Sequence, residues 1–239
     1  MPSPRVRNLT SEDMDRALGL LDEAIADSDL LMSVAPLRFL SLGGMLAVKV
    51  FQNRESTRDI DVLIDPNVDA VSEYRQEIFR VFSVVAERGR YEEDWCNDEL
   101  RLFIGRERRL DLFFESINQG LVVYEGQNLI IWAGVLEFAL ERKLRRLNDE
   151  TRRIRATDIS DSIALVHSMR GEHPLSIQYI RSLDRNRMGL LVADRSIAEV
   201  ADGYIKKYRQ QGIVEMVWDA DRQCSKYADL QQNWVYVDS

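Results

Sequence analysis

Residues 39–66 read FLSLGGMLAVKVFQNRESTRDIDVLIDP, and the rest of the chain reads as support for them. An apolar run breaks at Gly43-Gly44, a helix-like segment follows over 45–52, and a polar turn over 53–58 leads into Asp59-Ile60-Asp61. Val62-Leu63-Ile64 then continues as a strand. Side chains alternate faces along a strand, so Asp59 and Asp61 share one face while Ile60 and Val62 share the other. Two carboxylates side by side raise each other's pKa unless a cation lies between them. Mg²⁺ (or Mn²⁺) prefers such oxygens, and Mg²⁺ usually keeps a substrate phosphate as well. Glycine allows close backbone approach, and amides at a helix start attract phosphate. Beside the aspartate pair, phosphate cradling by Gly43 and Gly44 is the preferred reading over a plain strand-to-helix turn.

Upstream, residues 1–9 read as a loose tail. Thr10-Ser11-Glu12-Asp13 supplies an N-cap and first-turn acids, and Leu18, Leu21, Ile25 and Leu30 recur at helical spacing. Pro36 breaks the chain before a strand over 37–42. Downstream, one long helix is expected from Pro66 to near Gly89, with Val71, Tyr74, Ile78, Val81, Phe82 and Val85 inward. The acidic stretch 91–97 reads as irregular. Strands over 100–104 and 110–114, joined by the polar turn 105–108, read as a hairpin that carries Asp111. A second hairpin is expected from 121–124 and 129–132. Beyond it helices dominate, at 134–147, from Asp158 onward, and over 175–184, 188–191 and 196–211. Residues 213–239 give no clear pattern. The domain boundary is expected near Ala133, with an α/β core over 1–132 and a helical part over 133–239.

Gly43-Gly44, Asp59-x-Asp61 and the intervening Arg54-x-x-Thr57-Arg58 together resemble the active-site signature of the nucleotidyltransferase superfamily, the polymerase-beta-like fold. The intervening Arg54-x-x-Thr57-Arg58-Asp59 looks like its small MNT- and AbiEii-like branch. The resemblance implies an α+β fold with a mixed sheet flanked by helices. It implies Asp59, Asp61 and Asp111 as the catalytic carboxylates and metal ligands, with Asp111 holding a second metal or accepting the proton of the attacking hydroxyl; the alternative for Asp111 is a strand-edge acid paired with Arg101 or Arg109. Gly43, Gly44, Arg54 and Thr57 would face the nucleotide, the alternative for Arg54 being a pairing with Asp59. Lys143 would reach its phosphates from the helix after the sheet, the alternative, preferred for any single residue of that basic cluster, being a solvated helix face. The implied activity is metal-dependent nucleotidyl transfer from an NTP to a small molecule, a protein or an RNA.

A second likeness rests on Gly-Gly, the Asp pair, Trp95-x-Asn97-Asp98, the Lys/Arg-rich helix and Asp158-x-x-Asp161. It is to a group of small fungal proteins that includes arginine-containing cyclodipeptide synthases, which use aminoacyl-tRNA. That family carries a DDxxE motif, and this chain has no Asp-Asp. In that case the basic run Arg142, Arg145, Arg146, Arg152, Arg153 and Arg155 would contact RNA. A third reading is a non-catalytic binding module on the same scaffold.

Composition narrows the remainder. The 239 residues suffice for one large or two small domains. A formal net charge of −8 argues against broad nucleic-acid binding. No apolar run approaches the ~20 residues of a membrane span, and the N-terminus shows no secretory pattern, so a cytoplasmic location is expected. Cys96 and Cys224 form no CxxC and read as free, inert thiols. His167 and His173 show no zinc spacing.

Overall fold

The fold is that of a computed structural model, which describes residues 5–148 and 155–237. It is mixed α and β, and it divides into two compact units, Met1–Val135 and Leu136–Ser239.

The first unit opens with β1 (Leu9–Thr10) and α1 (Ser11–Ala26). Thr10 Oγ1 accepts from the Asp13 amide at 3.2 Å and the Asp13 carboxylate accepts from the Thr10 amide at 3.2 Å. This reciprocal cap fixes where the helix begins. Met14, Leu18, Leu21 and Ile25 are buried along one stripe. Leu30 falls beyond α1, in α2 (Asp29–Met32), and is exposed.

Next come β2 (Leu37–Ser41), β3 (Ser56–Thr57) and β4 (Ile60–Ile64). In place of the expected ordinary helix over 45–52 there is one wide turn, a π-helix over Leu46–Val50. The Phe51 amide donates to the Leu46 carbonyl at 2.9 Å, five residues back. Such turns are rare and cluster at functional sites.

The single helix expected from Pro66 is two. Asp65 caps α3 (Pro66–Asp69), its carboxylate accepting from the Asn67 amide at 3.0 Å. The chain then restarts as α4 (Ser72–Gly89), so Val71 is exposed rather than inward. Ile78, Val81, Phe82 and Val85 are buried as expected.

The hairpin expected to carry Asp111 is overturned. After the two-residue β5 (Cys96–Asn97), residues Glu99–Phe103 form a 3₁₀ turn and α5 runs Arg106–Gln119. Arg108, Leu112 and Ser116 are buried at four-residue spacing, which is helical. The apparent alternation of Leu110, Leu112 and Phe114 is incidental, because Leu110 and Phe114 lie outward on the same helix. The hairpin of β6 (Val122–Glu125) and β7 (Leu129–Ala133) forms as expected.

The sheet order is β5-β4-β2-β7-β6. β2 runs antiparallel to β4 and parallel to β7, and β4 runs parallel to β5. Phe39, Ile60, Val62, Ile64, Leu129 and Ile131 share one core with α1 and α4. Asp61 lies between Ile60 and Val62, so it belongs to the opposite face.

The second unit contains α6 (Leu136–Arg146), α7 (Arg155–Met169), β8 (Leu175–Ser176), α8 (Ile177–Arg181) and α9 (Asp194–Tyr208). Helices α6, α7 and α9 pack on one another, burying Leu140, Leu144, Val166, Ile197, Val200 and Tyr204. Residues 188–191 are not helical, and Met188, Leu190 and Leu191 are exposed. The stretch from 213 onward is β: β9 (Ile213–Val214) pairs with β8, and β10 (Val217–Asp219), β11 (Cys224–Ala228) and β12 (Trp234–Val237) form an antiparallel sheet. No helix among the described residues is long and apolar enough to cross a membrane.

Candidate functional site

β2 ends at Ser41, and the chain turns sharply through Gly43, whose φ is +72°. Only glycine adopts that backbone without strain. A Cβ placed on Gly43 would lie 3.5 Å from Asp61 Oδ2, and one on Gly44 would run into the Thr57 side chain. The Ser41 hydroxyl donates to the Asp61 carbonyl at 2.8 Å. The glycine turn, Thr57 and Asp61 therefore meet at one end of the β2–β4 pair. Arg54 lies half-buried in the loop leading to β3.

Asp59 precedes β4 by one residue and is half-buried. Its carboxyl is raised from the ordinary 3.8 to about 6, first by burial and then by Asp61 and Asp94, with Arg58 opposing and Glu99 adding. The site is thus electrostatically strained in a way that a bound cation would relieve. The whole first unit leans the same way. Residues 1–135 hold 24 acidic and 15 basic side chains, whereas 136–239 hold 16 and 17.

The acids around Asp59 are not the expected three. Asp111 lies on α5, with half its side chain exposed, and accepts from Arg108 Nη1 at 2.8 Å. No group of three or more His, Cys, Asp and Glu among the described residues is placed to hold a metal ion, so Asp111 does not complete a triad with Asp59 and Asp61. What lies beside Asp61 is β5, with Asn97 as its register partner and Cys96 opposite Ile60. Asn97 Oδ1 accepts from the Glu99 amide at 3.0 Å, which fixes the start of the 3₁₀ turn. Asp98 is held by Arg75 at 2.6 Å and Arg101 at 3.5 Å. Asp94 and Glu99 were invisible as neighbours of Asp59 because β5 is only two residues long. The sole signal was the density of acids over 92–99.

The basic run is also reassigned. Lys143 is buried, and its ammonium donates to Asp158 at 3.0 Å and Asp161 at 2.5 Å. It serves the interior of the second unit and presents no charge for a phosphate. Arg146 Nε donates to Asp158 at 3.0 Å, and Arg145 Nε donates to Glu141 at 2.8 Å. Arg142 lies over the Phe138 ring. Arg152 and Arg153 lie outside the described residues, as does the side chain of Arg155. Asp158-x-x-Asp161 is accounted for by the same buried cluster.

Among the described residues, Asp59 and Asp61 are the candidates for holding a cation. Mg²⁺ is commonly held by one or two carboxylates together with substrate phosphates, not by an all-protein cage. The Asp59 carboxyl is raised first by burial and second by Asp61, and a cation between the two would offset both causes. No protein-family model, curated protein or solved structure matches the chain.

Proposed function

We propose that the first unit is a metal-dependent nucleotidyltransferase that moves a nucleotidyl group from an NTP to an acceptor. The observation that carries this reading is the meeting of the Gly43 turn with Asp61, 3.5 Å from the position of a Gly43 Cβ. It sets a side-chain-free backbone turn beside a pair of repelling carboxylates. A turn of that kind admits a phosphate, and the pair supplies oxygens for a cation.

In this reading Asp59 and Asp61 hold Mg²⁺, and the amides around Gly43 and Gly44 face the triphosphate. Phosphoryl chemistry depends chiefly on positioning and charge neutralisation. Mg²⁺, when bound, neutralises the phosphate oxygens. The acceptor oxygen bonds to the α-phosphorus, the bond from that phosphorus to the bridging oxygen breaks, and pyrophosphate leaves with the electron pair. The acceptor proton passes to solvent. Ser41 keeps Asp61 in register through its carbonyl, and Thr57 fills the space over Gly44.

Thermal unfolding with Mg²⁺ alone and with Mg²⁺ plus each NTP tests the reading, on the wild type and on Asp59→Asn/Asp61→Asn. A ligand at one hundred times its Kd stabilises a fold by about 2.7 kcal/mol. A shift with NTP that needs both Mg²⁺ and the aspartates supports the reading. An absent NTP response, or one that survives the double substitution, refutes it.

A further inference from the structure

A cavity of about 440 Å³ is lined by Arg7, Asn8, Arg58, Glu92 and Asp94. That volume lies within the range of small-molecule sites. Its place in the fold is fixed by strand pairing. Leu9 of β1 is the register partner of Thr57 of β3, which brings Arg7 and Asn8 to Arg58, the residue before Asp59. Val6, next to Arg7, donates its amide to the Arg90 carbonyl at 2.8 Å. Arg58 precedes Asp59 in the chain, and the Ile60 amide donates at 2.7 Å to the carbonyl of Trp95, the residue after Asp94. The cavity therefore adjoins Asp59.

Two ion pairs line it. Arg58 meets Asp94 at 2.8 Å and Arg7 meets Glu92 at 3.7 Å, with side chains 73, 51, 88 and 36% exposed respectively. Exposed pairs of this kind contribute about 0–1 kcal/mol, so either partner exchanges readily for a ligand group. The lining has two guanidinium groups and two carboxylates. A purely anionic ligand would take the arginines and leave two acids facing each other; a purely cationic one would do the reverse. A ligand bearing both charges satisfies all four.

We propose that this cavity is the acceptor subsite and that the acceptor is a hydroxylated α-amino acid. Its carboxylate meets Arg7 and Arg58, and its ammonium meets Glu92 and Asp94. Both charged ends are then engaged, and the hydroxyl is the group left to attack. The proposal rests on the nucleotidyl-transfer reading, and it adds the class of acceptor.

Isothermal titration with L-serine, L-threonine and L-tyrosine tests it, on the wild type, Arg58→Gln and Asp94→Asn, with Mg²⁺-ATP titrated in parallel. At least one amino acid should bind the wild type. Its analogues lacking the carboxylate or the amine should bind at least tenfold more weakly. Each substitution should weaken the amino acid at least tenfold, and by more than it changes Mg²⁺-ATP binding. If no amino acid binds while Mg²⁺-ATP does, the acceptor proposal falls and the enzymatic reading stands. If no amino acid binds and no NTP binds with Mg²⁺, both fall. Equal binding of the truncated analogues overturns the two-charge recognition.

Discussion

Thr57 closes over Gly44: a Cβ built on Gly44 would lie 2.0 Å from Thr57 Oγ1 and 2.7 Å from Thr57 Cβ. Thr57 is buried in a strand, so it has little room to move. Gly44→Ala is therefore expected to cost about 1–3 kcal/mol, the usual range for overpacking. Urea unfolding measures it. A loss below about 0.5 kcal/mol would mean that β3 yields easily, and that Gly44 is not there to admit Thr57.

The raised Asp59 carboxyl makes stability depend on pH. In the folded chain Asp59 keeps its proton to about pH 6, whereas its ordinary value is 3.8. Between those values the folded state binds more protons than the unfolded one, so stability falls as pH rises through the window. Asp59→Asn removes the titrating group and is expected to flatten the melting temperature between about pH 4 and 6. Asp61→Asn removes one source of repulsion and is expected to lower the Asp59 value and narrow the window, while abolishing transfer. An unchanged profile in Asp59→Asn would show that Asp59 is not the group that titrates in this window, and an unchanged one in Asp61→Asn that Asp61 does not raise it.

Lys143 joins Asp158 and Asp161 in the interior of the second unit. Removing one partner of a buried ion pair leaves uncompensated charge and typically costs about 3–5 kcal/mol. Lys143→Met is expected to destabilise by that amount in denaturant titration. A phosphate-binding role predicts instead a weakened NTP affinity in a protein of normal stability.

Asp111 is half-exposed on α5, and its partner Arg108 also meets Glu115 at 3.2 Å. Asp111→Asn is expected to change stability by no more than about 1 kcal/mol and to leave transfer intact. Loss of turnover with Mg²⁺ affinity reduced would restore it to the metal site.

The legible part of this chain was local. Gly43-Gly44 and Asp59-x-Asp61 lie within 19 consecutive residues, and strand alternation alone relates the two acids. The Thr10 cap, the buried stripe of α1 and the β6–β7 hairpin are equally short-range signals. What sequence reading missed was pairing over distance or pattern overlap. Leu110, Leu112 and Phe114 alternate like a strand, yet Arg108, Leu112 and Ser116 define a helix. β5 is too short to carry any periodicity, so the neighbours of Asp59 could not be seen. A run of basic residues shows its charge but not its partners, and Lys143 finds its partners 15 and 18 positions on. The strands from β10 to β12 are three to five residues long, shorter than the windows in which alternation becomes distinct.

Cys96 pairs with Ile60 at the sheet margin and is buried; that burial, with Asp61 and Asp59 adding, pushes its thiol well above the ordinary value. Thiolate, not thiol, reacts with alkylating reagents, so Cys96 is silent while β5 stays docked. Its labelling rate therefore reads how often that margin detaches, tenfold slower for each 1.4 kcal/mol of local protection. On the nucleotidyl-transfer reading, a ligand bound against Asp61 is expected to slow this clock, and one bound only in the second unit is not. Cys96 would then serve, one strand away from the acid pair, as a native chemical timer for occupancy of the proposed site.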